Sequence, residues 1–220
     1  MLGKKLHFYS YGLEKETTLI LAFKPPDTPE PDPNRVSIAW KIIKLIPRVG
    51  VHSRATVHYI PRLAFGHGQS EDDGLVAPSI WMEVKSGDHT SIVGDDDEKH
   101  FTHVSHRENT KSVTCTNSSD SPTDLTLGLV KNTGINTRFE PIFLWTSVMR
   151  GTNVGVQFTP TLLAYAVREQ DPNEFLRMAE RVRPEPVWSQ NLDELDRVTG
   201  WNFMEDEGCG QFIIEPAEFT

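Results

Sequence analysis

Apolar and polar side chains alternate residue by residue, in one segment after another, from the start of the chain to about residue 168. A period of two belongs to a strand with one face in a core and the other in water, and a helix cannot satisfy it. "TTLILAF" puts Leu19, Leu21 and Phe23 on one face. "VSIAWKII" does the same with Val36, Ile38, Trp40 and Ile42, while Ala39 and Ile43 predict a second buried face. "RATVHYI" sets Ala55, Val57 and Tyr59 against Arg54, Thr56 and His58, and "SIWMEVK" sets Ile80, Met82 and Val84 against Trp81, Glu83 and Lys85. "SVTCT" and "DLTLGLV" follow, and the polar "NSSDSP" between them reads as a hairpin loop. "RFEPIFLWTSV", "NVGVQFT" and "LLAYAV" complete the series, the first two joined by "MRGT". About ten short strands separated by turns predict an all-β chain: an antiparallel β-sandwich or a jelly-roll-like domain.

Three stretches break the pattern. "PPDTPEPDP", residues 25–33, has five prolines and cannot join a central strand, because proline lacks the N–H a ladder needs. It reads as a stiff, extended surface loop. "GHGQSEDDG", residues 66–74, reads as a second long loop, acidic and rich in glycine. After residue 170 the period lengthens. Asp171 is placed to cap a helix, with Pro172 first inside it and Glu174 closing a capping box. Phe175, Ala179 and Val182 then form an apolar stripe until Pro184. Asn191 and Glu194 announce a second short helix carrying Leu192, Leu195 and Val198, with Gly200 as its stop. "WNFMEDEGCGQFIIE" then reads as a hairpin. These patterns predict a sandwich domain over residues 1–170 and a helix-helix-hairpin extension over 171–220, packed on that same domain because its apolar content is too sparse to fold alone.

Twenty-two basic residues against 31 acidic ones give a formal charge of −9. Phosphate backbones and anionic membrane surfaces are repelled by that field, so nucleic acid is not an expected partner. "LILAF" is the longest strongly apolar run near the beginning, far short of a membrane span, and the first residues lack a secretory leader's apolar stretch. Two cysteines, Cys115 and Cys209, are too few for a disulfide scaffold and have no metal-site spacing. Asn117-Ser118-Ser119 is a formal glycosylation sequon that counts only in a secreted chain. A cytoplasmic protein is the reading these features share.

Signatures of chemistry are sparse: there is no phosphate loop, dinucleotide fingerprint, nucleophile elbow or zinc-protease motif. "HFTHVSH", residues 100–106, holds three of the eight histidines. Its residue types favour a strand, in which His100 and His106 share a face roughly 20 Å apart and His103 points away. Ligand bonds of about 2 Å cannot span that gap. A metal site would instead need one histidine of the run to meet His58 and His67 across strands, with Glu83 as an oxygen donor. Cys115 alternates with Val113 and reads as core. Cys209 reads as the more exposed thiol, its reactivity dulled by the neighbouring Glu205, Asp206 and Glu207. Trp81 shares a face with Glu83 and Lys85, which suits an exposed ring lining a groove.

The favoured reading is a non-enzymatic cytosolic binding module, lectin-like or specific for another small ligand, with Trp81, Trp145 and His67 as its ligand-binding positions and no cofactor. Its partners are a small molecule or carbohydrate, and self-association into a homo-oligomer is compatible with the composition. The alternative is a metal-assisted enzyme on a barrel-like sandwich, using a divalent transition metal held by His58, His67, His103 and Glu83.

Overall fold

The computed structural model describes residues 3–26, 34–47, 53–68, 78–96, 98–133, 136–168, 185–206 and 208–217. The strands are, in order, β1 (Lys4–Tyr11), β2 (Thr17–Phe23), β3 (Arg35–Ser37), β4 (Ala39–Leu45), β5 (Ser53–Tyr59) and β6 (Leu63–His67). They continue with β7 (Ile80–Val84), β8 (Asp88–Gly94), β9 (Lys99–Phe101), β10 (Ser105–His106), β11 (Val113–Asn117) and β12 (Thr123–Thr133). The last are β13 (Asn136–Val148), β14 (Asn153–Val156), β15 (Thr161–Val167), β16 (Trp188–Asn191), β17 (Val198–Glu205) and β18 (Phe212–Pro216). Among the described residues the only helical element is a 3-10 turn, Leu192–Glu194. The chain is thus nearly all β, as the alternation predicts. It divides into two compact units, one of residues 1–24, 39–60 and 160–220, the other of residues 25–38 and 61–159.

The first unit holds two four-stranded sheets, ordered β18-β17-β1-β5 and β16-β15-β2-β4. β1 runs parallel to β17 and antiparallel to β5, and β2 lies antiparallel between β15 and β4. Aromatic rings join the two sheets. Trp188 of β16 meets Phe8 of β1 and Trp201 of β17 edge-on, at 6.0 and 4.9 Å between centroids. Tyr59 of β5 meets Phe23 of β2 at 6.0 Å and Trp40 of β4 at 6.1 Å. A ring that is fully buried, as those of Phe8, Phe23 and Tyr59 are, contributes about 1.5–3 kcal/mol.

The second unit holds two five-stranded sheets. One is ordered β3-β13-β12-β6-β7, and the other β10-β8-β11-β14 with β9 also on β8. Leu125, Leu127 and Leu129 of β12, Phe65 of β6 and Phe143 and Trp145 of β13 are all buried, as are Ile92, Val113, Cys115, Val154 and Val156 of the other sheet.

Four expectations need correcting. "VSIAWKII" is not one strand: Ile38 separates β3, which pairs with β13 in the second unit, from β4, which pairs with β2 in the first. The register of β2 on β4 slips between Leu21 and Ala22, so Trp40 turns inward against Phe23 while Ile42 is left 42% exposed. "NSSDSP" is not a hairpin loop but carries the chain from β11 in one sheet to β12 in the other. Its Asn117 is completely buried and donates to the carbonyls of Ser121 and Val148, while its Oδ1 accepts from the Ser119 amide and hydroxyl. The helix expected from Asn191 lasts one 3-10 turn. Asn191 does cap it, accepting from the Asp193 amide, but Leu195 is already extended and Val198 opens β17. Sheet pairing with β1 outcompetes a helix there, because Trp201 and Phe203 bury their rings only in the alternating register. In the acidic loop, Gly66 and His67 belong to β6, and residues 69–77 lie outside the described residues, as do residues 27–33 of the proline loop and the helix expected over 171–184. The closing hairpin is present, as β17 and β18.

Candidate aromatic binding surface

β6 and β7 pair with Gly66 opposite Trp81 and Ala64 opposite Glu83, so Trp81 and Glu83 project from the same face of their sheet. Phe139 of β13 reaches across that face and stacks on Trp81, with centroids 6.2 Å apart and planes 28° from parallel. Both rings are half-buried. Two glycines make room for Phe139. A Cβ on Gly128 would lie 2.6 Å from its Cζ and 2.5 Å from the Glu140 carbonyl oxygen, and one on Gly66 would lie 3.0 Å from Cζ and 2.7 Å from Thr126 Oγ1. The phenyl ring thus covers backbone that no side chain protects, a pairing that also stabilises glycines in sheets. Beside the rings, Arg62 grips Glu83 through two hydrogen bonds, one of them 3.2 Å from Nε to Oε2. Both partners of this ion pair are well exposed. The surface therefore offers two half-buried aromatic rings with an ion-paired guanidinium and carboxylate beside them.

The other expected positions fall elsewhere. Trp145 is 1% exposed and packs between Phe65 and Phe143, so its indole belongs to the core and presents no face to a ligand. His67 follows Gly66 and therefore points to the opposite face from Trp81; its Nδ1 lies 3.2 Å from the Asp124 carbonyl oxygen. Glu83 is committed to Arg62. His58 is exposed on β5, in the first unit, and His103 is exposed between β9 and β10. Among the described residues no group of three or more His, Cys, Asp or Glu side chains could hold a metal ion.

The histidine run is strand-like but broken. β9 and β10 both pair with β8, His100 opposite Val93 and His106 opposite Asp88. Thr102 interrupts them and ties the break to β8, its hydroxyl accepting from the Ser91 amide and its carbonyl from the Thr90 hydroxyl. His106 Nδ1 lies 2.8 Å from Asp88 Oδ1, and the other oxygen of Asp88 accepts from the Lys85 amide. That histidine therefore fastens a turn. Cys115 is buried, which pushes its thiol up to about 12, while Cys209 is exposed.

Phe139 escaped the sequence reading. Its strand is apolar on both faces, so periodicity could not assign it a side; the available signal was the pair of glycines in otherwise regular strands. The chain matches no protein-family model, and no curated protein or solved structure matches it either.

Proposed function

We propose that the chain is a non-enzymatic, lectin-like binding module on β-sandwich units of mostly antiparallel strands, taking a saccharide on the surface formed by Trp81 and Phe139. The observation that carries this reading is the stacked, half-buried ring pair with the Arg62–Glu83 ion pair beside it. A sugar ring lays its C–H face on an aromatic plane, and its hydroxyls suit a carboxylate and a guanidinium fixed at the edge. The sandwich assignment is supported by the ring contacts that join the sheets of the first unit. A cytoplasmic setting is supported by two cysteines that are both free. Among the described residues no helix is long and apolar enough to cross a membrane.

A glycan array probed with the labelled full chain tests the proposal. Wild type should bind a restricted set of neutral glycans, and Trp81→Ala should weaken binding about tenfold, the equivalent of about 1.4 kcal/mol of stacking. Binding that survives both Trp81→Ala and Phe139→Ala would contradict it.

A further inference from the structure

The first unit carries a face of different chemistry. β1 and β5 pair with Lys5 opposite His58, His7 opposite Thr56 and Tyr9 opposite Arg54. These six residues share one side of the sheet, while Leu6, Phe8, Val57 and Tyr59 fill the core on the other. On the far side of β1, β17 sets Val198, Gly200, Asn202 and Met204 beside Lys5, His7, Tyr9 and Tyr11.

Although His7 lies on the outer side, it is only 6% exposed. Arg54 lies against it, Nη2 being 3.1 Å from both ring nitrogens, and the guanidinium carbon stands 5.7 Å from the centre of the Tyr9 ring. His7 Nδ1 is 2.9 Å from Thr56 Oγ1. A neutral imidazole meets both demands, with Nδ1–H donating to Thr56 and Nε2 accepting from Arg54. A second proton would set N–H against N–H and cation against cation. Burial first, then the charges of Arg54, Lys5 and His58, accordingly hold His7 below its ordinary range. Among the described residues Arg54 and Lys5 make no ion pair. On this face β17 contributes only the uncharged Val198, Gly200, Asn202 and Met204, and the carboxylate in register there, Glu215 of β18, lies opposite Asn202, two strands away from Tyr9. In a chain with a net charge of −9, such a basic cluster runs against the surrounding field.

We propose that this face is an oxyanion site, in which Arg54, His7 and Lys5 take a phosphate or sulfate group. A guanidinium binds such a group through two N–H donors at once, and the ammonium of Lys5 adds a point charge. An oxyanion entering between Arg54 and His7 supplies the acceptor that a doubly protonated imidazole lacks. Anion binding and protonation of His7 therefore reinforce each other. The site is independent of the aromatic surface, and either can fail alone.

Titration of the full chain with inorganic sulfate and inorganic phosphate, read by calorimetry and by the His7 and Arg54 side-chain NMR signals, tests the assignment. Sulfate keeps its charge between pH 6 and 8, so its pH dependence reports the protein. Saturable binding is expected, about threefold or more tighter for sulfate at pH 6 than at pH 8. Arg54 is exposed, so Arg54→Gln should fold normally, as circular dichroism checks, yet bind about tenfold or more weakly. Lys111→Gln, an exposed substitution in the second unit, should bind as wild type does. Non-saturating shifts unaltered by Arg54→Gln would mean an adventitious ion only and would overturn the proposal. Sulfate affinity that rises from pH 6 to pH 8 would do so as well.

Discussion

Arg168 holds Glu205 with both arms of its guanidinium, Nη1 at 2.9 Å from Oε1 and Nη2 at 2.5 Å from Oε2. Arg168 follows β15 and Glu205 ends β17, so this pair ties together the two sheets of the first unit. Further contacts surround the pair: Nε donates to Thr17 Oγ1 at 3.1 Å, the guanidinium covers Phe212 at 5.0 Å, and the Glu14 amide donates to Oε2. With the Glu205 side chain only 5% exposed, water screens the pair poorly.

The Arg168 hydrogen bonds, helped by the Glu14 amide and the charges of Arg168 and Lys15, hold the Glu205 carboxyl below its usual range against the opposing effect of burial. A carboxyl depressed in the folded state stabilises fully above its unfolded value and loses that contribution as pH falls through its folded value. Glu205→Gln should therefore lower stability by about 2 kcal/mol at pH 7, and the gap to wild type should narrow as the pH drops below about 4. Urea denaturation at neutral and acid pH measures both. A gap of equal size at the two pH values would show that the charge is not the source.

How much of this was legible in the sequence depends on whether each side chain had one neighbour or several to satisfy. Ala55, Val57 and Tyr59 against Arg54, Thr56 and His58 read directly as β5, because one side meets the core and the other water. β1 carries the same signal in Leu6 and Phe8, directly after Lys4 and Lys5. Trp40 was legible as buried but not its bulge, which depends on the partner strand. Leu192, Leu195 and Val198 match a helical spacing, and only the parallel contact of β17 with β1, 193 residues away in sequence, decides otherwise. At the candidate site, the position of Trp81 outside the core was legible from its polar strand-mates. The burial of Trp145 was not legible, because its strand is apolar on both sides and leaves no contrast to read.

Removing residues 171–220 should leave an insoluble or strongly destabilised chain. The deletion takes away β17, which lies between β1 and β18, and with it the buried rings of Trp201 and Phe203, each contributing about 1.5–3 kcal/mol. A truncated chain that remains monomeric and melts at the wild-type temperature would refute the packing described.

Asn117 is completely buried with its amide nitrogen and oxygen both engaged, so the Asn117-Ser118-Ser119 sequon is closed in the folded chain. Expressed through a secretory route, folded protein should carry no glycan at Asn117 by mass spectrometry. Asn117→Ala should cost about 2–3 kcal/mol, since it leaves the Val148 carbonyl and the Ser119 amide buried without that partner. Thermal unfolding measures this loss, and a neutral substitution would contradict it.

Gly128→Ala should cost about 1–3 kcal/mol, because its methyl group would meet the Phe139 ring and the Glu140 carbonyl oxygen at well under contact distance. The substitution should also shift the Phe139 ring resonances and weaken any ligand held on Trp81. Unchanged stability and unchanged ring signals would mean that the phenyl ring does not lie over this glycine.

The central claim, that Trp81 is the ligand-stacking ring, is tested most directly by the five indole N–H signals of the nitrogen-15-labelled chain. Each can be assigned by single tryptophan substitution and followed while an array-selected saccharide is added. The Trp81 signal should move furthest and saturate with the calorimetric binding curve, while that of buried Trp145 stays still. A Trp81 signal that stays fixed while the saccharide binds would rule out stacking on this ring.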